Sequence, residues 1–162
     1  MQSDYASIVK DIIAKNQYLT LATVDAKGNP WASPVAYIYD EDFKFYWASM
    51  HSSRHQININ HSPRIAFAVF DSTQKWGEGI GIQVEATVNQ ISLGELPKVT
   101  AMYFSRKYPY GEATGPLVLG LKKLLQGSIY HFYKATPTKV WMPDPNAEVD
   151  TRIEIDLNTL TK

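Results

Sequence analysis

Residues 18–49 read YLTLATVDAKGNPWASPVAYIYDEDFKFYWAS, which is three apolar runs separated by two short turns. The runs alternate with a period of two, as β-strands do. Gly28 can adopt the left-handed conformation that the first turn needs, and three consecutive acidic residues form the second turn. Because turns this short join antiparallel strands, the stretch predicts a meander with strands at Leu19–Val24, Pro30–Tyr39 and Phe43–Ser49.

The rest of the chain predicts further strands and several helices around this meander. Pro34 cannot donate to a β-ladder, so its strand is expected at an edge or a bulge. Helices are predicted at Ser3–Asn16, with Ser3 as its N-cap, and at Ser52–Asn60, Glu95–Arg106 and Leu117–Leu125; strands are predicted at Arg64–Phe70, Gly79–Ile91, Ser128–Lys134, Lys139–Met142 and Arg152–Leu157. Short antiparallel connections with helices at the edges indicate a mainly β barrel with flanking helices rather than a doubly wound sheet. We expect one domain over residues 1–162, with an N-terminal helix 3–16 and a C-terminal tail 143–162.

The composition is that of an ordinary globular protein of 162 residues, with 44% hydrophobic and 20% charged side chains. Basic and acidic residues both number 16, so the formal net charge is zero. Nucleic-acid binders usually carry a basic excess, so we expect no nucleic-acid partner. The chain has no cysteine, which excludes disulfides, thiolate metal sites and cysteine nucleophiles. No apolar stretch approaches the ~20 residues of a membrane span, and no signal-peptide core is visible, so we expect a cytoplasmic protein without a membrane partner.

The stretch that ends the meander carries the most informative polar side chains: Phe45 to Asn58 reads FYWASMHSSRHQIN. Here a strand ends in hydroxyl groups and a helix begins with Arg54 and His55. The first N–H groups of a helix are unpaired and its N-terminus is positive, so this junction suits a phosphate. Serine hydroxyls, a guanidinium and an imidazole can bind the same anion. A serine-capped helix with a solvated arginine would show the same residues, so the pattern alone leaves both interpretations open.

The order of these motifs resembles the N-terminal half of the pyridoxamine-phosphate-oxidase-like flavoproteins. In that family an LATVD strand, a G-x-P turn, a PV strand and an aromatic strand ending in a small hydroxyl precede an S-R-K helix start. The resemblance runs through Tyr18 to Val88 and, more weakly, through Tyr130 to Trp141. It implies an FMN-binding split β-barrel, an antiparallel fold that works as a homodimer with the cofactor site at the interface.

The resemblance also implies which residues bind the cofactor. They are Ser33, Pro34, Val35, Ala36, Ala48, Ser49, Ser53, Arg54, His55, Gln83 and Tyr133. The strand from Ser33 to Ala36 would lie along the isoalloxazine ring and offer it backbone hydrogen bonds. Arg54 and His55 match an Arg-Lys pair that holds the phosphate, and histidine in place of lysine makes that binding dependent on pH.

The other implied positions lie further along the chain. Ala48 and Ser49 match a Tyr-Thr pair that reaches the flavin and its phosphate. Gln83 lies on a strand that lines the site across the dimer, and Tyr133 matches an aromatic residue at the flavin edge. An outward-facing strand residue is the alternative interpretation of Gln83.

One departure from the family concerns the substrate. True pyridoxamine-phosphate oxidases grip their substrate with an R-L-H signature near the C-terminus, whereas this chain has Lys139-Val140-Trp141. We therefore do not expect pyridoxamine phosphate as the substrate. Lys139 and Trp141 are instead expected to line a pocket for another small molecule, with Trp141 as an apolar wall.

The expected chemistry is hydride transfer through flavin N5 to or from an unknown small substrate. That step needs no acid or base from the protein, and no catalytic side chain is predicted. Two alternatives stay open: a flavin-binding module without turnover, and the same fold binding haem or a deazaflavin. A haem site would need an axial histidine, for which His51 and His131 are the candidates. The histidines show no metal-site spacing, so no metal ion is expected.

Three further residues are interpreted from the sequence alone, without the family resemblance. Trp76 either covers a flavin or packs on the barrel from a surface loop. Arg106 and Lys107 end the predicted helix Glu95–Arg106 and suit the negative C-terminal end of that helix.

Overall fold

A computed structural model describes residues 2–108, 111–112 and 129–161 of the chain. Its helices are α1 (Gln2–Lys15), α2 (Arg54–His61) and α3 (Leu96–Ser105), followed by a short 3-10 turn at Leu157–Thr159. Its strands are β1 (Tyr18–Val24), β2 (Pro30–Ala36), β3 (Ile38–Tyr39), β4 (Phe45–Met50), β5 (Arg64–Phe70), β6 (Gly81–Gln90), β7 (Lys107–Tyr108), β8 (Gly111–Glu112), β9 (Tyr130–Pro143) and β10 (Arg152–Glu154). The predicted helix Leu117–Leu125 lies outside the described residues.

The main sheet is antiparallel, with the strand order β2-β1-β5-β6-β9-β4-β3 and with β10 paired to β9. Strands β2 and β3 lie at opposite ends of this order, yet Tyr37 alone separates them along the chain. The sheet must therefore curl until its two ends approach each other, which gives a half-closed barrel. The hydroxyl of Tyr37 donates to the Ile13 carbonyl at 2.6 Å and ties the bend to α1. The predicted mainly β, antiparallel split barrel is confirmed, and Pro34 lies on the edge strand β2, as expected.

The last long strand differs from the prediction. Two strands were expected at Ser128–Lys134 and Lys139–Met142, but β9 runs unbroken from Tyr130 to Pro143. Its first part pairs with β4 and most of its length pairs with β6. Glu85 pairs with Lys139 and Ala86 with Pro137, so Thr138 is an extra residue in a β-bulge. A bulge interrupts the ladder where a proline can be tolerated, which is why the sequence looked like a break.

Smaller differences concern the ends of elements. Phe43, predicted in a strand, has φ +58° and belongs to the preceding turn, so β4 begins at Phe45. Helix α1 already begins at Gln2, so Ser3 lies inside it and is not its N-cap. In the tail only Arg152–Glu154 is a strand, and the 3-10 turn follows it.

The core lies inside the curled sheet and under α1. Aromatic side chains dominate it, and the ring centroids of Phe45 and Phe67 are 4.9 Å apart in an edge-to-face arrangement. Arg106 donates to the Asn16 carbonyl at 2.5 Å and lies over the Tyr37 ring. It therefore satisfies the C-terminal end of α1, whereas the sequence predicted an interaction with the C-terminal end of its own helix.

Candidate functional site

A hydrogen-bonded group of side chains, which we call the Ser–His cluster, joins the end of β4 to the start of α2. It consists of Ser49, Ser53 and His55. The Ser49 Oγ atom lies 2.8 Å from Ser53 Oγ and 2.7 Å from His55 Nε2, and Ser53 Oγ lies 3.2 Å from the same nitrogen. Ser49 is buried, whereas the other two residues are half-buried. The structure thus brings together three predicted phosphate-binding residues through contacts between elements adjacent in sequence.

The first turn of α2 adds donors to this cluster. Ser53 occupies the N-cap position but its hydroxyl donates to the Met50 carbonyl at 2.7 Å, so it does not cap the helix as the serine pattern suggested. Within the described residues, the backbone N–H groups of Arg54 and His55 have no acceptor. Together with the neighbouring hydroxyls and imidazole, which would have to turn from the bonds they form here, these N–H groups form a donor set for an anion.

A buried amide lies in the same turn. Gln56 is 1% exposed, and neither of its side-chain polar atoms has a partner among the described residues. A buried amide without a partner costs about 1–3 kcal/mol, so such a group points to a partner that the protein alone does not supply. The donor set fits the phosphate end of a cofactor, and Gln56 adds a buried amide without a partner in the same turn of α2.

Burial affects the charge of the cluster. It lowers the pKa of His55 below its ordinary value, so the imidazole is held neutral near pH 7. In that form the Nε2 atom of His55 is either a donor or an acceptor, and the ring carries no positive charge. Among the predicted phosphate ligands, the permanent charge therefore belongs to Arg54.

The Arg54 side chain lies against β2. Its guanidinium carbon lies 4.2 Å from the centroid of the Trp31 ring. The Trp31 indole N–H donates to Ser33 Oγ at 2.9 Å, so Trp31 and Ser33 lie on the same side of β2. Trp31 was not among the predicted site residues; the available signal was its position two residues before Ser33, on the same side of a strand.

The predicted flavin-contacting strand lies at the edge of the sheet. Ser33 is buried, Pro34 is exposed, and Val35 and Ala36 are half-buried. Within the described residues β2 has a strand neighbour on one side only, so its other edge can offer backbone groups to a ligand. Ala48 points the other way from Ser49 and packs against the apolar cluster around Phe132, so its predicted flavin contact stays a prediction.

A second group of polar side chains lies where β4 and β9 meet. His131 is paired with Ser49 across the ladder, and the ring centroids of His51 and His131 are 3.9 Å apart. The Nδ1 atom of His51 lies 2.8 Å from the Tyr133 hydroxyl, and that of His131 lies 3.2 Å from Gln90 Nε2. Three of the four histidines of the chain thus lie at this end of the barrel.

Tyr133 is mainly a core residue. Its side chain is 2% exposed and stacks on Trp47, with ring centroids 6.3 Å apart. Burial raises the pKa of its phenol to about 12, so the hydroxyl keeps its proton. Only the hydroxyl end reaches the histidines, and its predicted position at a flavin edge stays a prediction.

The remaining predicted residues lie on the outer face of the sheet, which we define by the exposed positions of β1, β2, β5, β6 and β9. Gln83 is paired with Trp141 and Glu85 with Lys139 across the β6–β9 ladder. The Lys139 ammonium lies 5.5 Å from the Trp141 ring centroid. These residues therefore form one patch, but on the face opposite to Ser49. A groove of about 910 Å³ crosses the same face over small side chains of β1, β2 and β5.

Other side chains do not join either group. Trp76 is 101% exposed at the tip of the β5–β6 loop, so it does not pack on the barrel. In the described part of the chain, no group of three or more histidine or acidic side chains is placed to hold a metal ion. None of the described helices has the length and apolar character required to span a membrane.

The chain is similar to known proteins in both sequence and fold. The family described as pyridoxamine 5'-phosphate oxidase matches residues 8–124, which is more than half of the chain. No curated protein matches it.

Several solved structures share the fold. A heme binding protein from Mycobacterium smegmatis has a TM-score of 0.73 and 17% identity, over 99% of this chain and 60% of that one. HutZ, the heme storage protein from Vibrio cholerae, has a TM-score of 0.67 and 21% identity, over 83% of this chain and 91% of that one. A FAD-binding protein from Mesorhizobium loti has a TM-score of 0.61 and 15% identity, over 85% of this chain and 92% of that one.

Identities this low show a common fold and nothing about the ligand. The family match is independent evidence from the sequence. It covers the strand and the helix start that build the Ser–His cluster. By this match and by its curled antiparallel sheet, the chain belongs to the pyridoxamine 5'-phosphate oxidase-like family of split barrels.

Proposed function

We propose that this protein binds FMN, with the phosphate at the start of α2 and the isoalloxazine ring along the edge of β2. The observation that carries the proposal is the donor set of Ser49, Ser53 and His55 beside two unpaired N–H groups of α2. An anion there would accept from the two unpaired N–H groups of α2, and the positive end of the helix would stabilise its charge.

Bound FMN supplies hydride transfer to or from a small substrate, and the protein supplies position and electrostatics. The serine hydroxyls and the α2 N–H groups orient the phosphate. The outer edge of β2 offers backbone hydrogen bonds to the ring. Arg54 supplies the positive charge that a neutral His55 lacks. A cytoplasmic location remains part of the proposal.

A second copy of the chain would complete this site. Gln83, Lys139 and Trp141 share the outer face, so within one copy they lie on the side of the sheet opposite to Ser49. The groove of this face reaches Trp31, which contacts Arg54, so a two-fold dimer through the outer face would bring these residues of one copy towards the α2 start of the other. Arg64 and Glu85 flank the groove of this face, and neither forms an ion pair within the described residues. One positive and one negative group make such a face self-complementary under a two-fold axis.

A flavin titration tests the proposal. Apo protein is titrated with FMN while flavin fluorescence is followed, for the wild type and for Arg54→Ala, with His61→Gln as the control at the far end of α2. We expect micromolar or tighter binding that Arg54→Ala weakens by at least about tenfold, or ~1.4 kcal/mol, and that the control leaves unchanged. Failure of the wild-type protein to bind FMN at millimolar concentration would overturn the proposal.

Turnover distinguishes an oxidoreductase from a flavin-binding module. The FMN-loaded protein is mixed with reduced nicotinamides and small acceptors while flavin absorbance is recorded. Bleaching followed by reoxidation by an acceptor faster than by oxygen supports an enzyme. Reoxidation by oxygen alone supports the module.

Haem is the second candidate, because the His51–His131 pair forms a structured imidazole site. Each ring has its Nδ1 atom held by a neighbour, and its Nε2 atom has no hydrogen-bond partner among the described residues. Axial histidines are held in this way by a second group. Haem titration of the wild type, His51→Ala and His131→Ala tests it, with His61→Ala as the control. A Soret band that shifts on binding and changes in either variant supports haem, and an unchanged band excludes this pair as the ligand.

A further inference from the structure

We propose that Trp31 is a positioning residue that holds the Arg54 guanidinium beside the flavin phosphate and thereby sets the preference for FMN over riboflavin. This inference rests on the proposed FMN site. The residue lies where the two halves of that site meet, since Trp31 is on β2 and Arg54 is the first residue of α2.

The contact between Trp31 and Arg54 leaves N–H donors of the guanidinium free. Arg54 lies over the face of the indole, with its guanidinium carbon 4.2 Å from the ring centroid. A contact with a ring face involves no hydrogen-bond acceptor, so it leaves N–H donors of the guanidinium for a ligand. Arg54 forms no ion pair among the described residues, so these donors remain available for a phosphate.

Trp31 is held through its side chain and through its backbone. The indole N–H donates to Ser33 Oγ at 2.9 Å, and the backbone carbonyl accepts from Thr23 Oγ1 at 3.3 Å. Asn58 of α2 donates to the same Thr23 hydroxyl at 3.0 Å. The surface under Arg54 is therefore tied to the helix that carries Arg54, and the guanidinium is held in place before any ligand arrives.

An arginine held in this way acts on the phosphate and not on the ring system. Riboflavin has the same isoalloxazine ring as FMN but no phosphate. Loss of the stack therefore lowers the affinity for FMN and leaves the affinity for riboflavin unchanged. A residue that only supported the fold would weaken both ligands together.

The test compares FMN and riboflavin binding by fluorescence titration in the wild type, Trp31→Leu, Arg54→Ala and the double variant. Leu93→Ala is the control, because it removes an apolar side chain that is 88% exposed and lies outside the proposed site. Trp31→Phe keeps an aromatic face but removes the N–H donor. Melting curves show whether each variant is folded.

We expect Trp31→Leu to weaken FMN binding about fivefold to tenfold, or ~1.0–1.4 kcal/mol, with riboflavin unchanged. The double variant should bind FMN as Arg54→Ala does, and Trp31→Phe should keep most of the preference. If FMN binds the wild type but Trp31→Leu keeps its preference, or loses both ligands equally, the inference is wrong and the FMN site stands. If the wild type binds neither flavin, the proposed function fails and this inference fails with it.

Discussion

At the scale of single residues, the environment of His55 decides the charge of the candidate site. The family pattern places a lysine here, which would be cationic at neutral pH, whereas burial holds His55 neutral beside Ser49 and Ser53. A bound phosphate would favour the protonated imidazole, so ligand binding and proton uptake are coupled at this residue. The run SSRH made the position a candidate, but its protonation state follows from burial in the fold.

The lowered pKa of His55 predicts a pH-dependent stability. Its pKa in the folded protein lies below the unfolded value of 6.5, so the unfolded chain binds the proton more readily. The free energy of unfolding is therefore highest above pH 6.5 and falls as the pH drops below that value. Urea unfolding between pH 7.5 and 5 should show this loss in wild type and in His61→Gln, and a flatter profile in His55→Gln. Parallel profiles for the wild type and His55→Gln would contradict the prediction.

At the scale of elements, α2 is joined to the sheet by a short chain of hydrogen bonds. Asn58, 3% exposed, donates to Thr23 Oγ1 at 3.0 Å, and that hydroxyl donates to the Trp31 carbonyl. The sequence predicted a helix here and a strand at Thr23, but not their contact. The partners are 35 positions apart, and only the docking of α2 on β1 brings them together.

Loss of this link should destabilise the protein. Asn58→Ala leaves the buried Thr23 hydroxyl without its donor, which costs about 1–3 kcal/mol of unfolding free energy. Asn60→Ala, on the exposed side of the same helix, is the matched control and should stay within about 0.5 kcal/mol of the wild type. Urea unfolding at pH 7.5 measures both. Equal stabilities of the two variants would mean that the link contributes nothing.

At the scale of the whole molecule, the curled sheet separates the predicted site residues into two sets. Ser49, Ser53 and His55 lie at the end of the barrel, whereas Gln83 and Trp141 lie on the outer face. One copy cannot bring both sets to one ligand. The proposed dimer follows from this separation and from the unpaired charges that flank the outer groove.

The dimer proposal predicts that a long charged side chain on the outer face prevents dimer formation. Ala66 is exposed on β5 beside the groove, and Ala66→Arg would place an unpaired guanidinium against the second copy. We expect light scattering to give a dimer for the wild type and for Glu41→Arg, a control in the exposed β3–β4 turn, and a monomer for Ala66→Arg. The monomer should also bind FMN more weakly. A monomeric wild type, or a dimeric Ala66→Arg variant, would contradict the proposal.

Most of the strands, the turns and the donor group at the start of α2 could be predicted from the amino-acid sequence. These depend on neighbours within a few positions: the alternation of β1, Gly28 in its turn with φ +82°, and the six-residue span from Ser49 to His55. The edge position of β2 could also be predicted from the local sequence, because Pro34 cannot donate to a ladder. The pattern of these segments along the chain sufficed for the fold.

Contacts between segments distant in sequence could be identified only from the three-dimensional fold. The His51–His131 pair depends on the register of β4 against β9, which places His131 opposite Ser49. The Trp31–Arg54 contact depends on how α2 docks on β2. The burial of Tyr133 and the exposure of Gln83 depend on which face the curled sheet turns inward. A register shift of one residue would move each of these side chains to the opposite face of the sheet. Such pairings arise from register and closure, which short-range patterns do not encode.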